Sequence, residues 1–140
     1  MESNNGVVLH HIGYAVKNIE VEAPRFAKLL GATWDEVIYH DPLQQARVSF
    51  LTAGNGLLGA PKFELIEGDS EDSPLSRFIA KGGGLHHLCY EVSDLDAKLA
   101  EMKISGAILI KAPQSAVAFG GRRVAWMFTR PHLLLEYIER

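Results

Sequence analysis

The sequence repeats itself, and the repeat constrains the fold more than any other feature. Residues 9–19 read LHHIGYAVKNI and residues 85–95 read LHHLCYEVSDL, so Leu, His, His, Tyr and Val recur in register, each followed by Asn18 or Asp94 and an aliphatic residue. The ends of the two halves also match, Phe63-Glu64-Leu65-Ile66-Glu67 against Leu135-Glu136-Tyr137-Ile138-Glu139. Glu64 lies 53 positions after His11, and Glu136 lies 49 after His87. A repeat of this length means two copies of one supersecondary unit sharing a core. At 140 residues there is room for a single domain made of two small modules.

Both halves give the same coarse pattern. Segments 7–16 and 85–92 are rich in β-branched and aromatic residues and read as strands. An Asn or Asp suited to a helix N-cap follows each one. Ala23, Phe26, Ala27 and Leu30 then fall at helical spacing over 21–30 and stop at Gly31; Leu95, Leu99 and Met102 do the same before Gly106. Three strands are predicted after each helix: 33–40, 46–53 and 62–67 in the first half, and 107–111, 123–128 and 133–139 in the second. Glycine-rich turns at 54–59 and 120–121 separate some of them. The expected fold is α+β, two tandem βαβββ modules over about 7–67 and 85–140. An acidic linker with a short helix after Ser73-Pro74, about 68–84, joins them.

Each module puts a histidine on its first strand and a glutamate on its last. Side chains alternate across a strand, so His11 shares a face with Gly13 and Ala15, Glu64 with Ile66, and Glu136 with Leu134 and Ile138. A polar group on an otherwise apolar face is costly to bury unless something satisfies it. Solvent-facing residues have no reason to recur at equivalent places. His11, Glu64, His87 and Glu136 are therefore the candidate ligands of a divalent ion, and mixed nitrogen and oxygen donors suit Zn, Co, Ni, Mn or Fe without selecting one. His10 and His86 point to the other face and read as structural or solvent-facing. His40 and His132 lie near strand ends, and Cys89 reads as a buried thiol. Trp34, Trp126 and Phe128 suit a core better than a pocket.

Beyond the repeat, LHHIGYAV, DSPLSRFIAKGGGLHHLCYEVSDL and GGRRVAWMF resemble the vicinal oxygen chelate superfamily, most closely its methylmalonyl-CoA epimerase branch. The likeness runs along almost the whole chain. It implies paired modules forming a half-open barrel around a metal held by His11, Glu64, His87 and Glu136, commonly in a homodimer. The implied chemistry is chelation of two neighbouring substrate oxygens, a thioester carbonyl and a carboxylate, with abstraction of the α-proton. Some epimerases use a non-ligand glutamate as base at a position that falls at or near Ser49 here. Glu91, or Glu136 leaving the ion, are the substitutes on offer. An expected histidine is Gly120, and the turn at 129–132 is short. Arg123, rather than Arg122, is expected to face inward and grip a carboxylate or phosphate. The same metal set also fits a glyoxalase-like lyase of thiol hemithioacetals, and the superfamily includes ligand-sequestering resistance proteins.

A net charge of −3 gives no basic face for nucleic acid. No apolar run approaches the roughly 20 residues of a membrane helix. The opening MESNNG lacks the pattern of a secretory leader, and the single cysteine allows no internal disulfide. These features favour a reducing, cytoplasmic setting, and the resemblance implies an enzyme acting on a small thioester.

Overall fold

The computed structural model describes residues 7–53, 60–130 and 132–140. The opening MESNNG, the turn expected over 54–59 and position 131 lie outside the described residues. Nine strands and three α-helices are described, in the order β1 (Val8–Ala15), α1 (Ile19–Leu30), β2 (Thr33–Trp34), β3 (Tyr39–Asp41), β4 (Ala46–Thr52), β5 (Lys62–Gly68), α2 (Pro74–Ala80), β6 (Gly84–Val92), α3 (Leu95–Ile104), β7 (Ile108–Ser115), β8 (Arg123–Thr129) and β9 (Leu133–Glu139). The fold class is α+β, as the repeat predicts. No described helix is long and apolar enough to cross a membrane.

The chain divides into two compact units, residues 11–86 in one, and residues 87–140 with the chain up to residue 10 in the other. In the first, the strands run β2-β4-β5-β1, with β3 also on β4; in the second they run β6-β9-β8-β7. The pairing rule is the same in both. The first strand of the module lies parallel to its last, β1 to β5 and β6 to β9, and the last lies antiparallel to the one before it.

Each unit lays one helix on one face of its sheet. Val16, Ile19, Ala23, Leu51 and Leu65 form the first core, and Val92, Leu95, Leu99, Ala125, Met127, Leu135 and Tyr137 the second. Local chemistry sets the helix ends. Asn18 Oδ1 accepts from the Val21 N–H and Asp94 Oδ1 from the Ala97 N–H, both at 3.0 Å, as N-caps do. Gly31 ends α1 in the left-handed conformation, φ 61°. Ser73 caps α2 with Pro74 in its first turn.

Two expected elements differ. The single strand predicted over 33–40 is broken into β2 and β3, because Asp35 Oδ1 accepts from the Val37 N–H at 2.9 Å and Glu36 takes φ 63°. That aspartate turn competes with the ladder. Conversely, β7 runs four residues past Lys111, to Ser115, with register shifts against β8. After α2, Gly82, Gly83 and Gly84 all have positive φ. At Gly83 a Cβ would stand 2.8 Å from the carbonyl oxygen of Ala15, so only glycine lets this segment pass β1 so closely.

Candidate metal centre

Alternation decides what each strand offers. On β5, Phe63 and Leu65 face the helix, leaving Lys62, Glu64 and Ile66 on the opposite face. On β1, Tyr14 packs against Phe26 of α1, which puts His11 on the same side as Glu64. The second unit repeats this: Leu135 and Tyr137 face α3, and Glu136 and His87 take the far side. All four candidate ligands are buried, His11 at 0%, His87 at 1%, Glu64 and Glu136 at 3% exposure.

Within each unit the histidine and glutamate meet. His11 Nε2 stands 3.5 Å from Glu64 Oε2, and His87 Nε2 stands 3.5 Å from Glu136 Oε1. That is longer than the roughly 2.7–3.2 Å of an N–H···O hydrogen bond. Two ligands about 2.1 Å from a shared ion, at tetrahedral or octahedral angles, sit about 3.0–3.4 Å apart. At 3.5 Å the imidazole nitrogen and carboxylate oxygen of each pair stand close to that range, and their donor chemistry suits a divalent ion.

An aromatic ring accompanies each pair. Phe50 stands opposite Glu64 on the β4–β5 ladder, and its ring meets His11 edge-on at 5.7 Å. Trp126 stands opposite Glu136 on the β8–β9 ladder, and its ring meets His87 edge-on at 4.7 Å. Trp126 thus lies against the site rather than in the core. Trp34 does pack on the first core. The sequence reading missed the role of Phe50, although a constant offset carries it: Phe50 lies 39 positions after His11, and Trp126 lies 39 after His87.

A second repeated device braces the opposite face. Glu67 Oε2 accepts from the Ile19 N–H and Glu139 Oε2 from the Leu95 N–H, each at 3.0 Å, so the last strand of each module caps its own helix. Arg47 bonds Glu67 and, at 2.7 Å, Glu20; Arg123 bonds Glu139 at 2.9 Å and Asp96 at 3.2 Å. The Arg123 guanidinium holds the Glu139 carboxyl below the usual carboxylate range, with help from the Leu95 N–H.

The other candidates are placed as follows. Arg123 has the parity of Ala125 and Met127, as expected, but that is the side of α3, where its guanidinium is bound to Glu139 and Asp96. Ser49 pairs with Leu65 and so also faces the helix; its hydroxyl accepts from Trp34 Nε1 at 2.7 Å and donates to the Val37 carbonyl at 2.6 Å. Glu91 shares the face of His87 but stands four residues along β6, about 13 Å away by strand rise. Arg122 and Arg140 each bond it at 2.9 Å, and Arg122 first, then Arg140, hold its carboxyl below the usual range. His86 and His10 pack edge-on against Phe78 and Phe119. His40 pairs with Asp69 at 3.1 Å, His132 lies against Phe128, and Cys89 is buried.

A chain built from two such modules, each with a buried His–Glu pair, belongs to the glyoxalase/bleomycin resistance protein/dioxygenase superfamily, whose pattern matches residues 10–126. Within it, the chain is similar to epimerases of CoA esters, enzymes of the isomerase class. It is 31% identical over 121 residues to the ethylmalonyl-CoA/methylmalonyl-CoA epimerase of Cereibacter sphaeroides, covering 85% of this chain and 86% of that one. It is 34% identical over 97 residues to the human mitochondrial methylmalonyl-CoA epimerase, covering 68% of this chain but 52% of that protein's length. The fold superposes on the crystal structure of methylmalonyl-CoA epimerase from Mycobacterium tuberculosis with a TM-score of 0.78 at 24% identity, covering 99% and 92% of the two chains. A hypothetical protein of Bacillus halodurans gives a TM-score of 0.81 at 30% identity, covering 96% and 94%.

Proposed function

We propose that the protein is a metal-dependent epimerase of an acyl-CoA thioester bearing an α-carboxylate, with methylmalonyl-CoA the leading substrate. One observation carries this: both modules bury the same His–Glu pair at the same 3.5 Å separation. The reading joins the two half-sites, so that His11, Glu64, His87 and Glu136 hold one divalent ion. The epimerase relatives support the choice of substrate.

The bound ion would supply Lewis acidity toward two adjacent substrate oxygens, acidifying the α-carbon. The chain's own residues supply the rest. Among the carboxylates considered as base, Glu91 is drawn off by two guanidiniums that weaken it as a proton acceptor. The base assigned here is Glu136, buried beside His87. Its carboxylate, released from the ion, would take the α-proton, and a solvent proton delivered to the opposite face would invert the centre. Phe50 and Trp126 shield the imidazoles from water. The same reading, resting on the resemblance to epimerases, takes the enzyme as a cytoplasmic homodimer.

The test is to load the protein with Co²⁺, add methylmalonyl-CoA in D₂O and follow the α-hydrogen by NMR. Metal-dependent exchange with loss of configuration, absent in Glu136→Gln, is expected. Tight metal binding with no exchange would overturn the substrate assignment and turn the search to hemithioacetals.

A further inference from the structure

The two modules are near copies, so a residue that differs between them at the site is one the fold does not require. The clearest case is position 62. It lies two residues before Glu64 on β5; the matching position, two residues before Glu136 on β9, is Leu134. Their cross-strand partners differ in the same sense. Lys62 pairs with Thr52, whereas Leu134 pairs with Phe128. One module therefore carries a cationic and hydroxyl pair where the other carries two apolar side chains.

Lys62 is on the site face. By alternation it points to the same side as Glu64, about 7 Å along the strand. Its Nζ lies over the ring of Phe50, 5.8 Å from the centroid, and that ring abuts His11 at 5.7 Å. The ring face attracts the ammonium and aims it toward the site. Among the described residues Lys62 forms no ion pair, in contrast to Arg47 and Arg123, whose charges are bound within their own modules. The residue is exposed, so the charge is open to a ligand.

We infer that Lys62 recognises anionic oxygens of the substrate, those of its carboxylate or of the CoA phosphates, and so sets the preference for charged acyl-CoA esters. The inference rests on the proposed function, because it places the substrate at the His11–Glu64 side. Lys62 binds the anion; it takes no part in proton transfer.

The test compares wild type and Lys62→Met, which keeps the apolar stem, both loaded with Zn²⁺, by calorimetry. Methylmalonyl-CoA carries both anions, methylmalonyl-pantetheine only the carboxylate and propionyl-CoA only the phosphates. A loss of about tenfold in affinity for methylmalonyl-CoA is expected, the size of one charge-assisted contact, with Lys62→Arg restoring most of it and Zn²⁺ affinity unchanged. If the pantetheine ester weakens alike and propionyl-CoA does not, the contact is to the carboxylate; the reverse assigns it to phosphate. Oxalate, a chelating dianion with no thioester, is the separate arm. Loss of oxalate affinity in Lys62→Met sustains the inference even if no CoA ester binds, an outcome that would sink only the proposed function. Unchanged affinity for every probe that wild type binds, or for oxalate when no ester binds, overturns the inference.

Discussion

Trp126 stands directly across the β8–β9 ladder from Glu136, and its indole meets the His87 imidazole edge-on at 4.7 Å. The other tryptophan, Trp34, donates its indole N–H to Ser49 on the helix side of its own sheet. If His87 binds the metal, Trp126 is the indole beside it. Titrating Co²⁺ while recording tryptophan fluorescence should therefore quench strongly, and Trp126→Phe should remove most of the response. Equal quenching in Trp126→Phe would contradict the assignment of His87.

Metal should stabilise the fold by linkage. At a free concentration of about 100 times the dissociation constant, one ion adds about 2.7 kcal/mol. Thermal denaturation with and without Co²⁺ should show that gain in wild type, and His11→Ala, His87→Ala and Glu136→Gln should each abolish it at the same concentration. A gain that survives His11→Ala but not His87→Ala would restrict the site to the second module.

Ser49 should prove structural. Its hydroxyl holds Trp34 and the Val37 carbonyl, and Ser49→Ala leaves both without that partner, at a cost of about 1–3 kcal/mol. Urea denaturation should detect this while the KM for substrate stays at the wild-type value. A KM change with unaltered stability would place the hydroxyl in the site after all.

The arginine braces predict an acid response of definite sign. Glu139, Glu91 and Glu20 all titrate below the ordinary carboxylate range, held there first by hydrogen bonds from Arg123, Arg122 and Arg47 respectively. Because their folded values lie below the unfolded ones, the stability they contribute is present near neutrality and is lost as pH falls through those lowered values, from about pH 5 downward. Arg123→Met should lower stability at pH 7 and flatten its decline toward pH 3. A parallel, merely displaced pH profile would show that Glu139 does not depend on Arg123.

The repeat made much of this legible before any coordinates. At both ends of the stretch from residue 11 to residue 50 the matching position lies 76 later: Asn18 with Asp94, Glu20 with Asp96, Arg47 with Arg123, Phe50 with Trp126. After the β4–β5 turn the offset is 72, which pairs Lys62 with Leu134, Glu64 with Glu136 and Glu67 with Glu139. The four-residue difference thus falls between Phe50 and Glu64. Alternation alone could say that Arg123 shares a face with Ala125 and Met127, but not which face lies under α3. That needed the core. The break between β2 and β3 was hidden because an aspartate turn leaves little trace in a segment otherwise rich in strand formers. The ion pairs of Glu91 join residues 31 and 49 positions apart, and no local pattern announces them.

The difference between Lys62 and Leu134 has a consequence for how such a molecule can change. A symmetric pair of half-length chains would have to present the same side chain at both places, so any gain at one would be forced on the other. With both modules on one chain, each position can vary by itself. The frame of each module can then be kept through Glu67 and Glu139, while the residues at positions 62 and 134 drift toward different ends.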